Sequence, residues 1–212
     1  MGKKLKVGIL GATGMVGQRF VSLLSDHPWY EVSLVAASAA SAGKSYAEAV
    51  QGRWTMKSPV PPHVARLNVL NASDVSRIAA EVDFVFCAVD MPKDETARLE
   101  EDLARAETPV VSNNSAHRGT PDVPMMVPEL NPEHAAVVEA QRRRLGTRRG
   151  FVAVKPNCSL QSYVPALHPL LGFGLERVAV CTYQAISGAG KTFESWPEML
   201  DNVIPFIKGE EE

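Results

Sequence analysis

The sequence predicts an α/β fold: a Rossmann-like, doubly wound parallel sheet, followed by the start of an α+β catalytic or dimerisation domain. Three observations lead to this fold class. Strand-like and helix-like segments alternate through residues 1–154, as in consecutive β-α-β units. Apolar residues run without interruption through Phe84–Val89, which indicates a strand buried on both faces. A glycine-rich segment, Gly11–Gly17, separates the first strand from the first helix.

The first domain is expected to span residues 1–154 and to bind a dinucleotide. Its predicted strands are Leu5–Leu10, Glu31–Ala37, Asp83–Val89, Thr108–Ser112 and Phe151–Val154, and its predicted helices are Gly14–Leu24, Pro92–Ala104 and Pro132–Arg144. Apolar residues recur at helical spacing after Gly14. Pro92 stands near a first helical turn, where its missing N–H is tolerated. The intervening segment Ser112–Pro132 is rich in Asn, Pro and Gly and is expected to be irregular.

The second domain is expected to cover residues 155–212 and to be incomplete. A helix is predicted at Leu160–Leu171, a long strand at Leu175–Ala185, and a further helix at Thr192–Val203 with a bend near Pro197. These elements are too few to enclose a core of their own. Because an open strand edge and apolar faces invite partners, this domain is expected to associate.

Composition and charge exclude several classes of protein. The chain has 45% hydrophobic and 22% charged residues and a formal charge of −2, which is ordinary for a globular domain and does not favour nucleic-acid or anionic-membrane binding. No segment approaches the roughly 20 apolar residues that a bilayer requires, and no signal peptide is expected. The three cysteines fit neither a disulfide framework nor a zinc site. We therefore expect a cytoplasmic protein without a structural metal.

The glycine-rich segment is predicted to bind the phosphates of a dinucleotide. Gly11 permits a tight turn, Gly14 lets the backbone approach a pyrophosphate, and Gly17 allows close packing of helix on strand. The helix N-terminus adds free N–H groups and a partial positive charge. The residues expected to contact the cofactor here are Gly11, Thr13, Gly14, Met15, Val16 and Gly17.

The end of the second strand favours NADP(H) over NAD(H). An NAD site usually carries a carboxylate there, which binds the ribose 2′-hydroxyl. In this chain the strand ends at Ala37 with no acid. The hydroxyls of Ser38 and Ser41 and the ammonium group of Lys44 follow instead, and they suit a 2′-phosphate.

Cys158 is the candidate nucleophile. It stands between a predicted strand and a predicted helix, where the helix dipole stabilises a thiolate. A thiolate attacks acyl groups, and neighbouring amides can hold the oxyanion that forms. Taken alone, however, a single cysteine is more often a packing residue. Cys87 and Cys181, which lie inside apolar segments, are interpreted in that way.

Several segments together resemble aspartate-β-semialdehyde dehydrogenase, in a form closer to the archaeal and fungal branch than to the long enterobacterial one. They are Gly11–Gly17, Ser38–Lys44, Ser112–Ser115, Pro156–Ser159, Gln184–Gly190 and Asn202–Glu212. The match runs through essentially the whole chain in order. Each segment alone is weak evidence, whereas the combination is specific.

The resemblance implies NADPH-dependent reduction of β-aspartyl phosphate to aspartate semialdehyde and phosphate, a step in the biosynthesis of lysine, threonine and methionine. Cys158 would form a thioester with the acyl group, and Gln184 would position that group. The implied substrate-binding residues are Arg118, Glu210 and Asn157, and the implied additional cofactor contacts are Asn113, Ser187, Gly188 and Gly190. An alternative for Arg118 is a loop residue paired with Asp122. The resemblance further implies a homodimer or homotetramer.

Two departures from the family pattern restrict this prediction. Ala39 and Ala40 stand where the family often has a basic residue near the 2′-phosphate. The family chain also continues further, and its general-base histidine and a second substrate arginine lie in that continuation; no histidine of this sequence matches the motif. We therefore expect these 212 residues to bind cofactor and to carry a reactive thiol, with little or no turnover alone.

Two other functions stay open at this stage. One is a related reductase that acts on malonyl-CoA or N-acetylglutamyl phosphate by the same thioester chemistry. The other is a dinucleotide-binding module without catalytic activity. Side-by-side rates with the different acyl donors separate the first from the aspartyl enzyme, and cofactor binding without turnover would indicate the second.

Overall fold

The computed structural model describes residues 2–189 and 191–205. They form two compact units, one that ends at Pro156 and one that begins at Asn157. Among the described residues, no helix has the length and apolar character needed to cross a membrane.

The first unit is built on a six-stranded, all-parallel sheet with the order β3-β2-β1-β4-β5-β6. The strands are β1 (Leu5–Leu10), β2 (Tyr30–Ala37), β3 (Val69–Asn71), β4 (Phe84–Cys87), β5 (Val110–Ser112) and β6 (Val152–Val154). The chain runs outward from β1 to β3 and then returns to the other side of β1 at β4. This order is that of a Rossmann fold, whose ligand crevice lies where the strand order reverses. The predicted fold class is confirmed.

Helices connect the strands and cover both faces of the sheet. They are α1 (Met15–Leu24), α2 (Tyr46–Ala49), α3 (Pro62–Ala65), α4 (Val75–Glu81), α5 (Lys93–Arg105) and α6 (Val138–Leu145). One buried layer includes Val7, Ile9 and Val21 and lies on the side of α1. The other includes Leu10, Ile78 and Leu103 and lies on the side of α4 and α5. Because both faces are covered, the strands are predominantly apolar, as is usual in parallel sheets.

Some elements of this unit were not predicted, and one was predicted too simply. Strand β3 has only three residues and α4 only seven, so neither gives a clear periodic signal. The helix predicted at Pro132–Arg144 begins as a 3₁₀ helix at Pro132–Val137 and becomes α-helical only at α6. It ends at Gly146, whose left-handed backbone conformation terminates the helix.

The described part of the second unit consists of helices and irregular segments. Helix α7 spans Cys158–Leu167, and 3₁₀ helices follow at His168–Phe173, Ile186–Ala189 and Pro197–Met199. The strand predicted at Leu175–Ala185 is wrong: those residues form neither strand nor helix. An apolar segment becomes a strand only beside a backbone partner, and the described part of this unit provides none.

The helix predicted at Thr192–Val203 is also wrong. Only Pro197–Met199 is helical, as a 3₁₀ turn. Thr192 and Ser195 bond each other's backbone through their hydroxyls, with Thr192 N donating to Ser195 Oγ at 2.9 Å and Ser195 N donating to Thr192 Oγ1 at 3.3 Å. Such bonds compete with a helix, and Pro197 lacks the N–H that a helix interior needs.

Candidate functional site

The glycine loop has the backbone geometry that the sequence predicted. Gly11 has φ +77°, and a Cβ at this position would overlap the carbonyl of Ala88. A Cβ at Gly17 would overlap the carbonyl of Gly11. At Gly14, in contrast, a Cβ would lie 3.4 Å from Gly11 O, which is ordinary contact. The fold therefore requires glycine at positions 11 and 17 but not at 14, where the open space suits the close approach of a ligand.

The N-terminus of helix α1 presents backbone N–H groups without a helical acceptor to this open space. Gly14 is its N-cap residue and supplies no side-chain cap. The first bond of the helix runs from Gln18 N to Gly14 O at 2.9 Å. The N–H groups of Met15, Val16 and Gly17 precede that bond, so they have no acceptor within the helix. With the helix dipole they form a site for an anion such as a pyrophosphate.

Two buried polar side chains, which the sequence analysis missed, fix the glycine loop. The hydroxyl of Tyr46 donates to Ala12 O at 2.8 Å. The amide of Gln18 donates from Nε2 to Thr13 O at 3.0 Å and to Arg53 O at 2.9 Å. Its Oε1 accepts a bond from the backbone N–H of Thr55 at 2.9 Å. The position of Gln18 one turn after Gly14, among apolar residues of α1, was the available signal.

The loop forms one wall of a cleft of about 490 Å³ at the carboxyl ends of the strands. The cleft lies over β1 to β4 and spans the reversal of strand order, as expected for a dinucleotide site. Of the predicted cofactor residues, Gly11, Thr13, Gly14 and Ser38 line it. The sequence analysis did not identify the other lining residues, which are Ala37, Ala39, Asn71, Ala72, Ser73, Ala88, Val89, Asp90 and Met91.

The segment after β2 is arranged around Ser38. The carbonyl of Ser38 accepts bonds from Ser41 N at 2.9 Å and Ala42 N at 3.2 Å, which closes a turn. Ser38 is exposed on the cleft, whereas Ser41 is buried. Ser41 and the exposed Lys44 both lie outside the cleft lining. The cleft has a carboxylate, Asp90, but it follows β4 and not β2.

The loop after β5 brings Asn113 and Arg118 to the same edge of the sheet. Asn113 N donates to Cys87 O at 2.8 Å, which ties the loop to the end of β4. Arg118 is half-buried and donates from Nε to Lys155 O at 3.3 Å. Asp122, the alternative partner of Arg118, instead pairs with Arg144 at 2.5 Å. The hydrogen bonds from Arg144 lower the pKa of the Asp122 carboxyl.

In the second unit, Cys158 is the first residue of α7 and is exposed. Asn157 caps this helix, since its Oδ1 accepts a bond from Ser159 N at 2.7 Å. This arrangement leaves the thiol beside the helix N-terminus, as the sequence analysis expected. Sequence analysis had assigned Asn157 to the substrate, whereas the structure shows its side chain capping the helix.

Cys158 and Gln184 line the same pocket of about 720 Å³ within this unit. Gln184 is held by a bond from Nε2 to Ser159 Oγ at 3.0 Å. Ser187 and Gly188 line the pocket as well. The other two predicted residues of this region, Gly190 and Glu210, lie outside the described residues.

The other two cysteines differ from each other. Cys87 is buried, as expected, and its burial raises the pKa of the thiol well above its usual value, with the nearby Glu100 charge acting in the same direction. Cys181 is exposed, so its interpretation as a core residue is wrong. The apolar segment around it does not enter a sheet, and therefore nothing covers it among the described residues.

The fold, the glycine loop and the cleft define a Rossmann-type dinucleotide-binding domain, followed by a cysteine-bearing unit. Residues 6–138 match the family model described as semialdehyde dehydrogenase, NAD binding domain. The chain therefore belongs to the semialdehyde dehydrogenase family, and its curated homologues are aspartate-semialdehyde dehydrogenases. The resemblance found in the sequence is confirmed at this level.

Two curated relatives show the extent of the similarity. The aspartate-semialdehyde dehydrogenase of Archaeoglobus fulgidus is 42% identical over 209 residues, which cover 99% of this chain and 59% of the relative. That of Methanothermobacter thermautotrophicus is also 42% identical over 209 residues, covering 98% and 58%. The chain thus spans less than two thirds of the length of these relatives.

Solved structures agree with the sequence comparison. Aspartate semialdehyde dehydrogenase with NADP from Candida albicans matches with a TM-score of 0.79 and 36% identity, over 98% of this chain and 57% of that one. Aspartate semialdehyde dehydrogenase II complexed with ASA from Vibrio cholerae matches with a TM-score of 0.57 and 27% identity, over 80% and 48%.

Proposed function

We propose that this chain is the cofactor-binding and nucleophile-bearing part of an NADPH-dependent enzyme that reduces β-aspartyl phosphate to aspartate semialdehyde and phosphate. The observation that carries the proposal is the position of Cys158. In a chain homologous to aspartate-semialdehyde dehydrogenases, it begins a helix, is exposed, and shares a pocket with Gln184. A buried packing cysteine has none of these properties.

The first unit fits a dinucleotide cofactor. The residues that would hold the pyrophosphate are Gly11, Thr13 and Gly14, together with the amides of Met15, Val16 and Gly17. The lack of an acid after β2 and the exposure of Ser38 on the cleft favour a 2′-phosphate, hence NADP(H) over NAD(H). Asn113, Ser187, Gly188 and Gly190 are proposed as further cofactor contacts. When bound, NADPH supplies the hydride.

Cys158 would perform the covalent step. Its thiolate attacks the carbonyl carbon of the acyl phosphate, a C–S bond forms, and phosphate leaves with the electrons of the broken C–O bond. The backbone N–H groups at the start of α7, apart from that of Ser159, which Asn157 caps, would stabilise the oxyanion of the tetrahedral intermediate. Gln184, held by Ser159, would orient the acyl group beside the sulfur.

Several polar and charged groups are proposed to recognise the substrate. Arg118 is proposed to bind the phosphate or carboxylate of the substrate, because only its Nε is bonded among the described residues, to Lys155 O. Glu210 is proposed to bind the substrate's amino group. Asn157, which precedes Cys158, is proposed as a further substrate-binding residue. The acid–base histidine of the reaction and a second substrate arginine are expected in the part of the protein beyond this chain. An assembly as homodimer or homotetramer in the cytoplasm is part of the proposal.

The test is an assay of the full-length protein with three acyl donors. With NADPH, β-aspartyl phosphate is expected to react at least 100-fold faster than malonyl-CoA or N-acetylglutamyl phosphate. In rapid mixing without cofactor, one phosphate should be released per active site and Cys158 should carry the acyl group. If malonyl-CoA is the better substrate, or if NADPH binds without turnover of any donor, the proposal is wrong.

Two cysteine variants make the test specific. Cys158→Ser should abolish phosphate release, with a loss of at least 10³-fold in rate. Cys181→Ser is the matched control, since Cys181 is also an exposed thiol on the wall of the same pocket. It should keep most of the activity. A Cys158→Ser enzyme that stays active rules out the thioester route.

A further inference from the structure

The first unit buries a carboxylate that the site described above does not use. Glu100 lies on α5 and is fully buried, at 0% exposure. A buried ionisable side chain is unfavourable unless hydrogen bonds replace its lost contacts with water. A buried carboxylate of this kind calls for an explanation.

Glu100 accepts hydrogen bonds from the last residue of β5, Ser112, and from Asn114 in the loop that follows. Ser112 Oγ donates to Glu100 Oε1 at 2.5 Å, and Asn114 Nδ2 donates to the same oxygen at 3.2 Å. Ser112 Oγ in turn accepts a bond from the backbone N–H of Asn114 at 3.0 Å. Glu100 therefore fixes Asn114 in two ways. It bonds the side chain of Asn114 directly, and it holds the backbone of Asn114 through Ser112.

These bonds determine how the Asn114 amide is oriented. Its Nδ2 also lies 3.5 Å from Cys87 Sγ, so the NH₂ group faces the buried side. The carbonyl oxygen Oδ1 is left as an acceptor for which the described residues offer no donor. Glu100 Oε2 likewise has no partner among the residues described here. Among the described residues, Ser112 and Asn114 donate hydrogen bonds to this carboxylate, and the thiol of Cys87 lies beside it.

Asn114 stands beside the cofactor cleft. It is half-buried and lines a cavity of about 160 Å³ together with Val89, Asp90 and Met91. Those three residues also line the larger cleft. The loop after β4 therefore lines both cavities. Asn114 lines only the smaller one, which the glycine loop does not reach.

The strand order identifies which half of a dinucleotide reaches this place. In a doubly wound sheet, each half of the sheet holds one mononucleotide, and the pyrophosphate crosses at the reversal of strand order. Here β1, β2 and β3 form the half that carries Ser38, and β4 and β5 form the other half. With the 2′-phosphate of the adenosine at Ser38, the nicotinamide riboside lies on the side of β5.

We infer that Glu100 is a positioning residue, which holds Asn114 with its amide oxygen available to the nicotinamide-riboside half of the cofactor. This inference rests on the proposed function, because it requires a dinucleotide in the cleft. The donor that Asn114 Oδ1 recognises is an N–H or O–H of that half, either the carboxamide or the ribose.

The experiment compares two ligands on the full-length protein. NADPH contains both halves, whereas adenosine 2′,5′-bisphosphate carries only the adenosine half. Dissociation constants are measured by fluorescence and calorimetry, and the melting temperature is measured without ligand. Glu100→Leu is expected to weaken NADPH binding at least 10-fold, to change adenosine bisphosphate binding less than 2-fold, and to leave the melting temperature unchanged or raised. Glu100→Gln keeps an acceptor oxygen and should stay within about 3-fold of wild type for both ligands.

Gln141→Leu is the matched control. Gln141 is also fully buried, and its Nε2 donates to Asp122 O at 2.9 Å and to Val152 O at 3.0 Å, away from the cleft. Its loss should lower the melting temperature and leave both affinities unchanged. Should Glu100→Leu fail to fold, Asn114→Leu at its half-buried position must reproduce the selective loss of NADPH affinity.

Two results overturn the inference while the proposed function stands. One is a folded Glu100→Leu or Asn114→Leu protein that binds NADPH as wild type does. The other is an equal loss of both ligands, which would indicate a purely structural role. A wild-type protein that binds neither ligand overturns the cofactor proposal itself, and the inference with it.

Discussion

The phenol of Tyr46 and the carbonyl of Ala12 form a buried hydrogen bond of 2.8 Å between residues 34 positions apart in the chain. Tyr46 is fully buried, and this burial raises the pKa of the phenol well above its ordinary value. The hydroxyl therefore stays protonated and donates at any ordinary pH. The bond joins α2 to the glycine loop, so the loop depends on a residue far away in sequence.

Replacing Tyr46 with phenylalanine should destabilise the protein by about 1–2 kcal/mol, because Ala12 O loses its partner in a buried place. Urea unfolding measures this change. A several-fold loss in NADPH affinity should accompany it, since the loop is no longer held. Tyr30→Phe is the control, because it also removes one hydroxyl. Tyr30 lies at the amino-terminal end of β2, beside Leu5 and away from the glycine loop. Equal effects of the two variants would contradict the prediction.

Gly14 and Gly17 of the loop should respond differently to alanine. Gly14→Ala adds a Cβ that the protein itself accommodates, with its nearest contact at 3.4 Å. It is expected to leave the melting temperature within about 2 °C of wild type and to weaken NADPH binding at least 10-fold. Gly17→Ala would overlap the backbone of Gly11 and should destabilise the fold by several degrees. The prediction fails if Gly14→Ala binds NADPH normally.

The sequence predicted the parts of the first unit that periodicity and glycine chemistry determine. The strand Leu5–Leu10 was predicted with its bounds as observed, because an apolar segment before a glycine loop has one interpretation in this fold. The cleft residues Asn71 and Ser73 were missed for a physical reason. Asn71 ends β3, a strand of three residues, and Ser73 follows it, so only the parallel pairing of β3 with β2 brings them to the site.

The second unit could not be predicted in the same way, because its apolar pattern was ambiguous. Leu175–Ala185 has the composition of a strand, but a strand is defined by its hydrogen-bonded neighbour and not by its residues alone. Val178, Val180 and Tyr183 are exposed in consequence. The placement of Cys158 was easier, since Asn157 is a good helix N-cap and apolar residues follow at helical spacing.

Glu107 should make the stability of the first unit depend on pH. Its backbone has φ +62°, which is uncommon for a residue with a side chain. Its carboxylate accepts bonds from the backbone N–H groups of Arg148 at 2.9 Å, Arg149 at 2.6 Å and Gly150 at 2.9 Å. These bonds lower the pKa of Glu107 to about 2. The carboxylate therefore joins the turn after α5 to the loop before β6.

The sign of the pH effect follows from this lowered pKa. The charged form is preferred in the folded state, so the stabilisation is complete above the unfolded pKa, about 4.3. It is lost as the pH falls from there toward about 2. Glu107→Gln should lower the midpoint of urea unfolding at pH 7 and reduce its dependence on pH between 5 and about 2. Glu129→Gln, at an exposed position outside this cluster, should change neither quantity.

Alkylation should distinguish the three cysteines of the native 212-residue chain. Cys158 and Cys181 are exposed, whereas Cys87 is buried and has a raised thiol pKa. Because the thiolate is the reacting form, the burial of Cys87 and the raised pKa that results both suppress its reaction in the folded protein. Iodoacetamide at pH 8, followed by mass spectrometry of the peptides, should therefore label Cys158 and Cys181 within minutes and leave Cys87 unlabelled until denaturant is added.

The effect of labelling on the activity of the full-length protein separates Cys158 from Cys181. Loss of activity should follow the labelling of Cys158 with one-to-one stoichiometry, and β-aspartyl phosphate should protect that residue. In the Cys158→Ser protein, labelling of Cys181 should proceed at an unchanged rate and without protection by substrate. If activity instead follows Cys181, the nucleophile is misassigned. If Cys87 is labelled in the native protein, the end of β4 opens far more readily than its burial between α5 and the sheet allows.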